Sequence, residues 1–183
     1  MKTRKKIKEE SQNVSKDWSG LLPAYRACVN NAGELLNEAE ILSDRKRYAR
    51  AFFLAFTALE ELGKAQLVAD YLTDCISQEE FLDAFKRHDL KVAYLNRCLL
   101  VPNKPSEEEA MLEYDLKGGE HLIELRMASL YVCLIDNQEV TVPDDSINRE
   151  TAMELITEAK EHLSLMLHAE WLNQRIGSKG LFK

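Results

Sequence analysis

Glu60, Glu61 and Lys64 interrupt an otherwise apolar helical run, RYARAFFLAFTALEELGKA over residues 47–65. Ionisable groups in such a setting are costly unless they are paired, hydrated or used. Glu60 precedes Lys64 by four residues, the favourable order for a helical ion pair, worth about 0.2–0.5 kcal/mol when exposed. Turned into a cleft, the same pair would specify a pocket able to contact a phosphate or a ribose. Downstream, Lys86, Arg87, His88 and Lys91 form a basic group. His88 and Lys91 are three apart and approach one helix face, where an imidazole could move a proton and an ammonium could stabilise phosphate charge. A solvated basic turn has the same pattern. Arg126 interrupts a third apolar progression, ahead of LYVCL. Its guanidinium could hold two phosphate oxygens in a fixed fork, or anchor a buried carboxylate such as Glu60. Tyr131 could stack on a base or fill the core, and the sequence alone favours the core.

Other chemistries find no support. His121, His162 and His168 stand outside HExxH or any other metal-ligand spacing, so no metal site is predicted. There is no glycine-rich phosphate loop, no GxSxG elbow and no strand–helix alternation of a dinucleotide fold, and no cofactor is expected. Cysteines 28, 75, 98 and 133 are dispersed, without a CxxC pair, and read as reduced thiols. The net charge is −7, yet residues 1–16 carry six Lys or Arg against two Glu, leaving −11 for the remainder. A basic tail could touch phosphate or a partner, while the acidic body argues against broad, non-specific duplex binding. MKTRKKIKEE is not followed by an apolar segment, and LLPAYRACV is too short to span a bilayer, so no membrane association and a cytoplasmic location are expected.

The elements that must position these groups are helical almost throughout. Apolar residues recur at helical spacing from Leu21 to Leu42, and a second helix is predicted from about Arg47 to Leu72, after a break at Ser43 and Asp44 that offers a cap. So short a connection makes an antiparallel pair. Ser77 and Glu80 have capping-box spacing ahead of a third helix over about 78–99. Pro102 and Pro105 end it, and Ser106 with Glu109 opens a long fourth helix reaching Val132, weakened at Gly118 and Gly119. Residues 136–145 read as a polar connection in which QEVTV is at most a short extended piece and a hairpin is not supported. Asn148 caps a final helix through Trp171, and Gly177 and Gly180 mark a loose end. The prediction is an all-α bundle of about five helices: a single domain over 18–176, a flexible basic tail over 1–17 and a flexible end over 177–183.

Taken together, NNAGELLNEAEIL at 30–42, RYARAFFLAFTALEELGKAQL at 47–67, HDLK at 88–91 and ELRMASLYVCL at 124–134 resemble the AbiV-type abortive-infection family, a branch of the HEPN helical superfamily. The resemblance covers residues 20–135 well and the last helix only generically. It implies an HEPN-like antiparallel bundle, a role in bacterial phage defence, and the metal-independent endoribonuclease activity of many HEPN proteins. Such nucleases use an arginine and a histidine four to six residues apart on one helix. Here Met127 to Cys133 contain no histidine, and Arg87 and His88 are adjacent, so catalysis requires His88 to approach Arg126 from another helix. In that reading His88 is the general acid or base, Arg126 and Lys91 stabilise developing charge, and Glu60 orients Arg126 or Lys64. Lys64, Arg87 and Tyr131 are the candidates for binding RNA or phosphate. The resemblance also implies a homodimer and a phage-encoded activator or other protein partner. The alternative is a non-catalytic interaction module that binds a phage or host protein through the same charges.

Overall fold

Alanine and glycine spacing along one long helix decides how the bundle closes. A computed structural model describes residues 18–96, 121–135 and 139–171. Its elements are α1 (Trp18–Asp44), α2 (Tyr48–Leu72), α3 (Gln78–Ala84), α4 (His88–Asn96), α5 (residues 121–130), β1 (Cys133–Ile135), β2 (Glu139–Thr141), α6 (Pro143–Ser146) and α7 (Arg149–Trp171). Eighteen of the 25 residues of α2 are buried, among them Ala49, Ala51, Ala55, Ala58, Ala65 and Ala69. A helix apolar on nearly all sides is the axis of a core rather than one wall of it. Its alanines let neighbours come close: α1 lies along it through Tyr25, Val29, Ala32, Leu36 and Ala39, and α7 through Ala152, Leu155, Ile156 and Ala159.

The turn from α1 to α2 differs from expectation. Neither Ser43 nor Asp44 caps α2; its N-cap is Arg47, with no side-chain cap, and the Ser43 hydroxyl lies 3.2 Å from the Met153 sulfur of α7. The turn closes instead through backbone bonds from Arg47 N to Leu42 O and from Lys46 N to Ser43 O, both 2.8 Å, with Lys46 in the left-handed region at φ 59°.

The predicted capping box forms: the Ser77 hydroxyl accepts from Glu80 N at 3.2 Å, and the Glu80 carboxylate accepts from Ser77 N at 2.7 Å. The helix it starts is short. Where one helix over 78–99 was expected, the chain bends at 85–87 into α3 and α4. Two docking points flank the bend. Phe81 stacks on Tyr71 at 4.9 Å between ring centroids and holds α3 to the end of α2. Farther back along α2, a Cβ on Gly63 would lie 2.1 Å from the Lys91 carbonyl oxygen, so only glycine lets α4 cross there.

The last helical bond of α5 runs from Tyr131 N to Met127 O, 3.0 Å, and residues 133–135 then pair with 139–141 as an antiparallel hairpin in the register Cys133–Thr141, Leu134–Val140, Ile135–Glu139. The helix expected to reach Val132 thus ends two residues earlier, at Leu130, and the reading without a hairpin is overturned. Tyr131, Val132, Ile135, Val140, Thr141 and Val142 are aromatic or β-branched, types that lose rotamer freedom in a helix but not on a pleated strand. Asn148 does cap α7, its side chain accepting from Thr151 N at 2.9 Å. The Ser106–Glu109 box, Gly118, Gly119, Cys98, the basic tail, Gly177 and Gly180 lie outside the described residues.

Candidate active site around Glu60

Glu60 is 5% exposed in the middle of α2, on the flank covered by α4 and α5. A carboxylate there must be compensated. Its Oε1 meets Nδ1 of His88 in a short contact and lies 3.7 Å from Nζ of Lys91, while Oε2 lies 4.0 Å from Nε of Arg126. One buried acid thus gathers an imidazole and an ammonium from α4 and a guanidinium from α5.

Gly63 sets the geometry. Glu60 and Gly63 are one turn apart on α2, as His88 and Lys91 are on α4. Seating the Lys91 backbone on Gly63 therefore places the His88 ring over Glu60. Arg126 is steered by aromatic faces, with Cζ 5.5 Å from the Phe53 ring centroid and 5.6 Å from that of Phe56. Among the described residues its Nε has no hydrogen-bond acceptor, although the atom is buried. Such a donor costs about 1–3 kcal/mol unless an acceptor arrives.

The members differ in access. The His88 side chain is 49% exposed, that of Arg126 21%, and that of Lys91 only 7%. With Nδ1 directed at Glu60, Nε2 of His88 is the ring nitrogen left for an external group, an orientation in which a carboxylate fixes the tautomer of a general base. Lys91 and Arg126 outweigh the single negative charge of Glu60, so the site offers net positive potential to an anion.

The model of the HEPN family described as AbiV matches residues 21–164, which takes in Glu60, His88, Lys91 and Arg126. The chain belongs to the AbiV family of HEPN domains. It is an abortive-infection protein, and its helical bundle is the HEPN-like architecture of that family. No curated protein and no solved structure matches it. In this AbiV protein no group of three His, Cys, Asp or Glu side chains among the described residues could hold a metal ion. No described helix is long and apolar enough to cross a membrane.

The other candidates of the AbiV chain lie apart from Glu60. Lys64 pairs with Glu61 at 2.5 Å rather than with Glu60, and it faces α1. There Cys28 is pushed up to about 11, by burial first and then by the charge and hydrogen bond of Glu61. The i, i+4 pairing therefore loses to an i, i+3 pairing, because Glu60 is already taken from the other side. Arg87, exposed, forms a two-pronged pair with Asp89, its Nε 3.2 Å from Oδ1, and that hydrogen bond holds the Asp89 carboxyl below the usual carboxylate range. Tyr131 is 53% exposed just past α5 and does not fill the core. Sequence reasoning missed Gly63, Phe53 and Phe56. The isolated glycine in an apolar helical run was a readable signal for close backbone approach, whereas nothing in the sequence marked which two phenylalanines would lie beneath Arg126.

Proposed function

We propose that this AbiV protein is a metal-independent endoribonuclease that cleaves cellular or phage RNA and so blocks translation during infection. The observation that carries the reading is the convergence of His88, Lys91 and Arg126 on buried Glu60. It supplies, across two helices, the arginine and histidine that HEPN nucleases carry on one. His88 Nε2 takes the proton of a ribose 2′-hydroxyl, and the 2′-oxygen attacks the adjacent phosphorus. The 5′-oxygen leaves and gains a proton from water, giving 2′,3′-cyclic phosphate and 5′-hydroxyl ends. Arg126, more open than Lys91, binds the phosphoryl oxygens as charge builds on them. Lys91 adds positive potential from behind Glu60, and Glu60 orients both His88 and Arg126.

Incubation with total RNA and tRNA in EDTA tests this reading. Cyclic-phosphate ends formed by wild type and lost in His88→Ala and Arg126→Ala support it; intact RNA with every form, with or without phage lysate, sinks it.

A second reading rests on the hairpin. Leu134 and Val140 are paired across the strands and 76% and 56% exposed, with Val132 and Val142 continuing the same face at 62% and 37%. Such an apolar face favours protein contact through a second copy of the chain, a phage-encoded activator or another partner. Protein association that leaves RNA intact and is indifferent to His88→Ala would favour the module over the nuclease.

A further inference from the structure

Among the described residues of this acidic protein, exposed cations without a carboxylate stand singly at Lys86 and Arg149 but gather at one corner. Lys64, Arg87, Lys91, Arg126 and Lys160 each meet a carboxylate. At the turn from α1 to α2, Arg45, Lys46, Arg47 and Arg50 are all exposed, and none meets a carboxylate among the described residues. Asp44 is the only acid in residues 44–50, which leaves that stretch at net +3.

Local stability does not explain these residues. Lys46 occupies a left-handed position where glycine avoids a cost of about 1–2 kcal/mol. Arg47 is an N-cap without a capping side chain, and with Arg50 it puts positive charge at the end of α2 where the helix dipole disfavours it. Departures from local preference concentrated at one place are expected at functional or strained positions.

The corner also adjoins the site. Arg50 Nη1 reaches the Leu130 carbonyl oxygen of α5 at 3.4 Å, and Leu130 lies one turn, about 6 Å along the axis, beyond Arg126. Phe53 lies between them on α2, its ring under Arg126. Tyr131, half exposed, directly follows Leu130. On the α7 side, Glu150 and Glu154 flank the Met153 that Ser43 contacts, so an anionic strand at the corner is turned toward α5.

We propose that Arg45, Lys46, Arg47 and Arg50, with the ring of Tyr131, form a track for single-stranded RNA that leads along the α2–α5 seam to the Glu60 site. The arginines and lysine take backbone phosphates of nucleotides flanking the cleaved bond, and Tyr131 stacks on a base, the combination by which proteins hold single strands without reading sequence. The inference rests on the nuclease reading for the direction of the track, and the corner's own binding is measured separately from cleavage.

Full-length protein is titrated with a short fluorescent oligouridylate between about 50 and 200 mM salt. Wild type is compared with the Arg47→Gln/Arg50→Gln pair, with the charge-preserving Arg47→Lys/Arg50→Lys pair, and with Arg26→Gln, a single charge removed from the other end of α1. The glutamine pair is expected to weaken binding about tenfold at low salt and to flatten the slope of log K against log salt by about 1.4, two contacts at about 0.7 each. The lysine pair should retain most of the affinity, and Arg26→Gln should keep the wild-type slope. A wild-type slope in the glutamine pair overturns the track and leaves the nuclease reading standing. Loss of binding in that pair, with wild type that never cleaves, keeps the track and removes the nuclease. Wild type that does not bind RNA overturns both.

Discussion

Two histidines of this protein sit in opposite surroundings. His88, at the start of α4, keeps its side chain half exposed and turns one ring nitrogen onto a buried carboxylate. His162, inside α7, is 4% exposed, and burial alone pushes it down to about 4. The same imidazole is thus accessible beside an acid at one place and neutral core filling at the other. Sequence neighbours do not decide which: HDLK and EHLS are both short polar stretches with a helical period. What separates them is that α4 lays His88 across an acid on α2, whereas the α7 position of His162 turns it into apolar packing.

The comparison breaks most sharply on activity. His88→Ala is expected to lower RNA cleavage by about 10²–10⁴-fold while the melting temperature stays close to wild type, and His162→Leu is expected to leave cleavage intact. Equal losses from both would mean that neither position is the chemical one. Next in size, Glu60→Ala leaves Lys91 nearly buried without its counter-charge and should cost about 3 kcal/mol in urea unfolding, together with most of the cleavage.

Acid stability probes the other histidine. Because the folded-state value of His162 lies below the ordinary value of about 6.5, the unfolded chain binds the proton first. Its contribution is fully present above pH 6.5 and is lost as pH falls toward about 4, roughly 2 kcal/mol by pH 5. Unfolding of wild type and His162→Leu at pH 7 and pH 5 should show a steeper loss in wild type; parallel losses would place the acid sensitivity elsewhere.

Gly63→Ala sharpens the same contrast by moving α4 alone. A methyl group 2.1 Å from the Lys91 carbonyl must displace backbone, and after the gain in helix propensity a net cost of about 1–2 kcal/mol is expected, with cleavage reduced beyond what stability explains. The smallest effect concerns thiols: exposed Cys133 should be alkylated well before Cys28, whose thiol is held near 11 beside Glu61.

The local elements were legible wherever a short-range rule was strong. Helical periodicity placed α2 and α7, Ser77–Glu80 and Asn148 announced their caps, and ALEELGKA with HDLK pointed to the family that the comparison then showed. Periodicity failed where tertiary contacts outvoted it. The helix expected over 78–99 is divided between Phe81, docked on Tyr71, and Lys91, docked on Gly63, and the fourth helix stops at Leu130, two residues short of Val132, ahead of a paired strand.

By itself, then, the sequence determined an all-α bundle of the AbiV type and the kinds of residue its chemistry would draw on, because capping, amphipathic spacing and a family motif are encoded within a few turns of chain. Only the tertiary structure decided that Glu60 turns from Lys64 to meet His88 and Arg126, residues 28 and 66 positions away. A buried carboxylate takes whichever cations packing brings to it, and here that packing is set by a glycine that admits α4 and two phenylalanine rings that seat Arg126.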